Sequence, residues 1–310
     1  MERKRLFWRP DDRLLGRIDQ LIGQHRRTAV ETLEPLVRSY YPALIHAPRN
    51  EYRKMMELSA KMTVVGHSCS EVAGYPFDPR RQRIASLFGG CCFLADSFID
   101  DFGREATREY LERFELLLTK GWFEIKNDRE KLFYVIVSRL FSQRDVLDPV
   151  LRQAILRLYE AQRDDVELRS ADGKARHLTR RHRLQLLREC ARNRSGHAIL
   201  VLSGFLLPEL PLRYLSLIYV AGELIMHIDD HGDCYSDLYY DRATYMNQVK
   251  DPVGTLRRVF NASVARLQAG LPEGSGRDLL MGFLFRYYRT RMEKHQLQRN
   301  SREAAWTVYE

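Results

Sequence analysis

No window of this 310-residue chain holds the roughly 18 to 20 uninterrupted apolar residues that a membrane helix needs. The opening run, Met1-Glu2-Arg3-Lys4-Arg5-Leu6-Phe7-Trp8-Arg9-Pro10, has no apolar core of the signal-peptide kind, so a cytoplasmic protein without a membrane span is expected. Cysteine is scarce: Cys69, Cys91, Cys92, Cys190 and Cys234 are odd in number, and none forms a C-x-x-C pair suited to zinc or redox chemistry. They read as reduced packing residues. The aromatic-basic motifs of the common nucleic-acid modules are missing too. The 50 Lys and Arg, against 41 Asp and Glu, are spread along the chain rather than gathered in a tail. Nucleic acid is therefore not expected, and the net charge of +9 is left for some other anionic ligand.

Alternating strand patterns are few. Apolar residues instead return every three or four positions, as in Leu132, Val135, Ile136 and Leu140, or Leu215, Ile218, Leu224, Ile225 and Ile228. Breaks fall at Pro48, Gly74 to Pro79, Gly103, Gly121, Ser170 to Gly173, Pro208 to Pro211, Pro252 to Gly254 and Pro272 to Gly276. About ten helices with short connections follow. No Gly, Ser or Pro linker divides the chain and no block repeats, which predicts one all-α domain over residues 26–310. Residues 1–25 are expected to be a loosely held arm.

Two segments stand out. In Leu87 to Gly103, an apolar helix ends in three carboxylates, with Asp96 and Asp100 at i and i+4 on one face and Asp101 about 100° round. Like charges so placed repel unless a cation sits between them, and carboxylates at a helix C-terminus oppose its dipole. A helix end turning to solvent is the other reading of this segment. The second segment, Leu224 to Asp237, sets Asp229, Asp233 and Asp237 at i, i+4 and i+8. Hard oxygen ligands without His or Cys in the set favour magnesium or manganese over zinc. A solvated acidic stripe would carry interleaved Lys or Arg, and none occurs between 223 and 241.

Two aspartate clusters on separate apolar helices, about 130 positions apart, resemble the class I isoprenoid synthases, and bacterial class I terpene cyclases most. Asp229-Asp230-x-x-Asp233-x-x-x-Asp237 has the form D-D-x-x-D-x-x-x-D of an elongase's second motif. Its first, fifth and ninth positions match the cyclase triad, with Asp233 and Asp237 replacing the usual Ser/Thr and Glu. Asp96-Ser97-Phe98-Ile99-Asp100-Asp101 looks closer to the D-x-x-x-D-D of squalene-type enzymes. The resemblance implies a single helical bundle around a central active-site cavity. It also implies three magnesium ions, replaceable by manganese, held on a prenyl diphosphate by Asp96, Asp100, Asp101, Asp229, Asp233 and Asp237.

It implies further roles. A family diphosphate sensor points to Arg183, with Arg180 and Arg181 as alternatives, and Arg194 stands where elongases place a phosphate-binding lysine. Ser195-Gly196 falls where the family breaks a helix near the reacting carbon. The C-terminal Arg-Tyr pair of the cyclases corresponds to Arg286-Tyr287, or its role to Lys294-His295. Phe88, Phe93, Phe98 and Tyr235 are candidates for aromatic faces lining the cavity, where they would stabilise a carbocation.

The implied activity is magnesium-dependent ionisation of a C15 or C20 prenyl diphosphate, followed by cyclisation and release of diphosphate. A homodimer is left open. The elongase's early Gly-Lys-x-x-Arg segment and the Arg pair after its first cluster are missing. A squalene-type head-to-head transferase stays open, though its second motif normally stops at the fifth position. From other classes, a metal-dependent phosphohydrolase would want a His-Asp dyad that His227-Ile228-Asp229 interrupts, and a non-catalytic prenyl diphosphate binder would not need both clusters intact.

Overall fold

Short polar side chains decide where several helices begin. Asp11 accepts from the backbone N–H of Leu14 at 2.7 Å, Asn127 from Glu130 at 2.9 Å, Thr179 from His182 at 3.3 Å and Asp251 from Gly254 at 2.8 Å. Each satisfies one of the donors a helix start leaves free. The computed structural model describes residues 6, 8–101, 103–144, 148–169, 177–209 and 212–301, with the backbone alone at 98–101, 103–105 and 169. Among the described residues there are twelve α-helices and no strand. They are α1 (Asp12–Tyr40), α2 (Glu51–Val72), α3 (Pro79–Asp101), α4 (Gly103–Lys120), α5 (Asp128–Phe141) and α6 (Pro149–Arg169). Then come α7 (Arg180–Leu206), α8 (Leu215–Gly232), α9 (Cys234–Tyr239), α10 (Tyr245–Gln248), α11 (Pro252–Gly270) and α12 (Ser275–Asn300). The all-α expectation holds. The helices beyond the expected ten include α9 and α10, of six and four residues.

The helices close a ring. α2 packs on α3, α3 on α4, α4 on α6, α6 on α7, α7 on α8, α8 on α12 and α12 back on α2, with α5 against α3 and α11 outside α8. The stretch 12–25, expected as part of a loose arm, is instead the first half of α1. Ile18 is wholly buried against Gly282 of α12, and His25 is buried between the rings of His67 and Phe77. Apolar burial at Ile18, Ala29 and Leu33 outweighs the crowding of charge that suggested an arm.

Off the cavity wall, a buried ion pair fastens α4 to α5. Arg113 donates to both carboxylate oxygens of Glu130 at 2.6 Å and to the Glu124 carbonyl at 2.6 Å, while the Lys126 backbone N–H donates to Glu130 at 2.7 Å. At the C-terminus of α7, Arg144 donates to the carbonyls of Gly204, Leu207 and Pro208, groups a helix end leaves unpaired.

Candidate functional site

A cavity of about 1310 Å³, its open mouth included, lies inside the ring and is lined by α2 to α8 and α12. Its wall is mainly apolar, with the rings of Phe88, Phe114, Phe133, Phe141, Phe205 and Phe283 among the lining side chains. α7 runs along it from Arg194 to Phe205, about 16 Å at the rise of an α-helix. The few polar groups on the wall are Lys61, Asp96, Tyr159, Gln162, Arg194, Ser195, Asp229 and Tyr287.

Asp96 of α3 and Asp229 of α8 thus share one cavity. On the α3 side, Arg194 donates from Nη1 to Asp165 of α6 at 2.8 Å and from Nη2 to Asp96 at 3.3 Å. Arg194 and Asp165 are both buried, so the guanidinium is held rigidly and half of Asp96 is exposed beside it. Asp165 was missed by sequence reasoning, since nothing in its local pattern separates it from the surface acids of α6.

On the α8 side, Tyr287 and Arg291 of α12 both donate to Asp229 Oδ1. Arg291 also donates to the Tyr287 hydroxyl at 3.1 Å and to Asp233 at 3.4 Å, and Lys294 donates to Asp233. Tyr287, Arg291 and Lys294 are i, i+4 and i+7, one stripe on α12, and they meet Asp229 and Asp233 at i and i+4. Burial opposes ionisation of Asp233, but Arg291, Lys294 and Lys61 outweigh it and hold its carboxyl below the usual range. Burial also raises the Tyr287 phenol well above its ordinary value, Arg291 opposing and Asp229 reinforcing the shift, so the hydroxyl stays protonated as a donor.

The expected stack of three acids bends at its middle. α8 ends at Gly232, and Asp233 (φ −103°, ψ 6°) links it to α9, although the i to i+4 backbone bonds continue at 3.1 Å into Asp229 and 2.8 Å into Asp233. Of the three, only Asp229 lines the cavity; Asp233 and Asp237 do not. The side chains of Phe98, Asp100 and Asp101 lie outside the described residues.

Several other expectations are corrected. Ser195-Gly196 does not break a helix, since α7 is continuous from Arg180 to Leu206. Gly196 lies under the Tyr219 ring, 2.6 Å from where its Cβ would be, and a Cβ on Gly222 of α8 would stand 2.3 Å from the Ser195 carbonyl oxygen. These residues are small because α7 and α8 cross there almost backbone to backbone. Ser195 itself lines the cavity. Arg183 sits about three turns before Arg194 on α7 and off the cavity wall, while its neighbour Arg180 reaches the Gln248 carbonyl at 3.4 Å. Arg286 points outward to Asp19 of α1 at 2.9 Å. Of the Arg-Tyr pair only Tyr287 reaches the site, and its cationic partner is Arg291, one helical turn on.

Lys294 joins the network, whereas His295 turns behind it. It stacks on His231 with ring centroids 4.1 Å apart and donates from Nδ1 to the His231 carbonyl at 3.0 Å. Phe88 lines the cavity as expected. Phe93 packs against the surrounding core and Tyr235 lies against His295, both off the wall. Cys91 and Cys92 face the cavity as free thiols, and burial pushes Cys91 up to about 12, which leaves it inert.

Among the described residues no three His, Cys, Asp or Glu side chains come together as a ready-made metal cage. The donors nevertheless fit magnesium, which commonly takes one or two carboxylates and completes its shell with water and phosphate oxygens. Asp96 and Asp229 are hard oxygen ligands on one cavity wall, and they are charge-balanced in the structure by Arg194 and Arg291, cations that phosphate oxygens would also attract. The chain matches no protein-family model and no curated protein.

Proposed function

We propose that the protein is a class I terpene synthase, ionising a linear C15 or C20 prenyl diphosphate with the help of magnesium and cyclising the resulting carbocation. One observation supports this reading: Asp96 and Asp229, remote in sequence, both line one cavity whose wall is otherwise largely apolar and aromatic. A diphosphate suits the polar groups on that wall and an isoprenoid chain suits the rest.

Magnesium, bound together with the diphosphate by Asp96, Asp229 and the neighbouring Asp100, Asp101, Asp233 and Asp237, would neutralise the charge that develops on the leaving group. Tyr287 fixes the Asp229 carboxylate by donating to it, and Arg194 would place a fixed positive charge beside Asp96, in a setting where fixed dipoles act more strongly than water. The rings of Phe88, Phe114 and Phe133 exclude water from the cation and present π faces to it.

The deciding experiment is incubation of the purified chain with farnesyl and geranylgeranyl diphosphates, with and without magnesium, and mass analysis of a hexane extract. A cyclic hydrocarbon or alcohol that requires magnesium is the expected outcome. Free prenyl alcohol alone, or no product, would overturn the reading.

A further inference from the structure

Lys61 is a charge the site has not yet used. It lies on α2 in the run Ser59-Ala60-Lys61-Met62-Thr63-Val64-Val65-Gly66, whose other members carry no charge and, Lys61 apart, are all buried. Its side chain lines the cavity beside Asp229 and Tyr287, and its ammonium stands 5.2 Å from the centroid of the Tyr287 ring. A cation–π contact of that kind compensates only part of the lost hydration. Among the described residues Lys61 has no hydrogen bond and no ion pair, whereas Arg194, the other cation on the wall, is fastened to Asp165 and Asp96. Burial, and next the like charge of Arg291, push its pKa down against the pull of Asp229, Glu57 and Asp233.

The local pairing points the same way. Arg291 and Lys294 spend their hydrogen bonds on Asp229 and Asp233. Lys61 feels those carboxylates and Glu57 only at a distance, and its side chain is left on the cavity wall without a hydrogen-bonded partner. A desolvated ammonium without a bonded partner is costly, and an anion entering the cavity would supply one.

We propose that Lys61 binds the diphosphate directly from the α2 side of the mouth, without a metal ion between them. The inference takes the diphosphate from the proposed function, yet the anion contact is testable apart from any isoprenoid chemistry. Inorganic pyrophosphate is titrated by calorimetry into the full-length chain in the presence of a chelator, so that no metal bridges the ligand to the carboxylates. The parent protein should bind. Lys61→Met and Lys61→Gln should each weaken binding by about tenfold or more, and Lys61→Arg should restore most of it. Both neutral variants remove a half-buried charge that has no hydrogen-bonded partner, so thermal unfolding should show them folded and no less stable.

Pyrophosphate binding that is equal in the parent and the folded neutral variants would overturn the proposal, as would no binding by the parent in chelator. If Lys61-dependent binding is found while no prenyl diphosphate is turned over, the anion site stands and the terpene synthase reading falls.

Discussion

Two arginine–carboxylate groups in this molecule, one buried and one half-buried, look alike and differ in what they leave over. Arg113 and Glu130, between α4 and α5, saturate one another: two parallel bonds of 2.6 Å, with the Glu124 carbonyl and the Lys126 N–H taking further capacity. Arg291 and Asp229, between α12 and α8, share their bonds with Tyr287, Asp233 and Lys294, and a further cation, Lys61, has no bond at all. The first group is closed and faces packed side chains. The second leaves a cation without a bonded partner and opens on a cavity. Burial alone therefore does not mark a binding site; a cation left unbonded beside a cavity does.

Breaking the closed pair should have the largest effect. Glu130→Ala leaves Arg113 buried without its counter-ion and should lower the unfolding free energy by about 3–5 kcal/mol, read by denaturant titration. The folded fraction should keep its KM for a prenyl diphosphate, because the pair lies away from the cavity. A loss of substrate affinity instead would erase the contrast between the two groups.

Asp229→Asn tests the open group. It preserves an acceptor for Tyr287 but removes the charge, so turnover with magnesium should fall by about a hundredfold or more. Arg291 keeps Asp233 as a partner, and the melting temperature should move little. Unimpaired turnover would remove Asp229 from the chemistry.

The crossing of α7 and α8, which holds Arg194 and Asp229 on one cavity, is sharpened by Gly222→Ala. The added methyl would meet the Ser195 carbonyl at 2.3 Å, and stability should drop by about 1–3 kcal/mol as the helices separate. Product yield should fall with it even at temperatures where the chain remains folded.

The smallest effect is expected at His25, distant from both groups. Burial, and next the neighbouring His67, lower its pKa to about 4 from 6.5. Between those values the unfolded chain binds the proton that the folded chain refuses, so stability is full above about pH 6.5 and is lost as pH falls toward 4. The slope from this residue is about 1.4 kcal/mol per pH unit at most. His25→Phe should flatten that part of a melting-temperature profile, and an unchanged slope would show that His25 does not titrate as inferred.

Local pattern made the helices legible, since 3.6-residue periodicity, short polar caps and Gly or Pro breaks all act within a few residues. It also made Asp96 and Asp229 legible, because paired acids on an apolar helix conflict with simple burial. The same reasoning misread Ser195-Gly196, where a small pair means a kink in an isolated helix and a close crossing in a packed one. Tyr287 was found with the wrong partner: Arg286 is adjacent in sequence yet points away, while Arg291 is one turn on and shares its face. A stripe count at i, i+4 and i+7 would have found Arg291 and Lys294, and a single charge within an apolar helix would have flagged Lys61.

What the amino-acid order determined by itself is the all-helical character, most of the breaks between the long helices, and the two acidic segments. Each depends on interactions between residues close in the chain. Only the tertiary structure decided which cation meets which carboxylate, that Asp233 and Asp237 lie off the wall where α8 gives way to α9, and that Asp96 and Asp229 share one cavity with Lys61. Those choices belong to α2, α3, α7, α8 and α12 packed together, and charge balance across a cavity has no counterpart along a single helix.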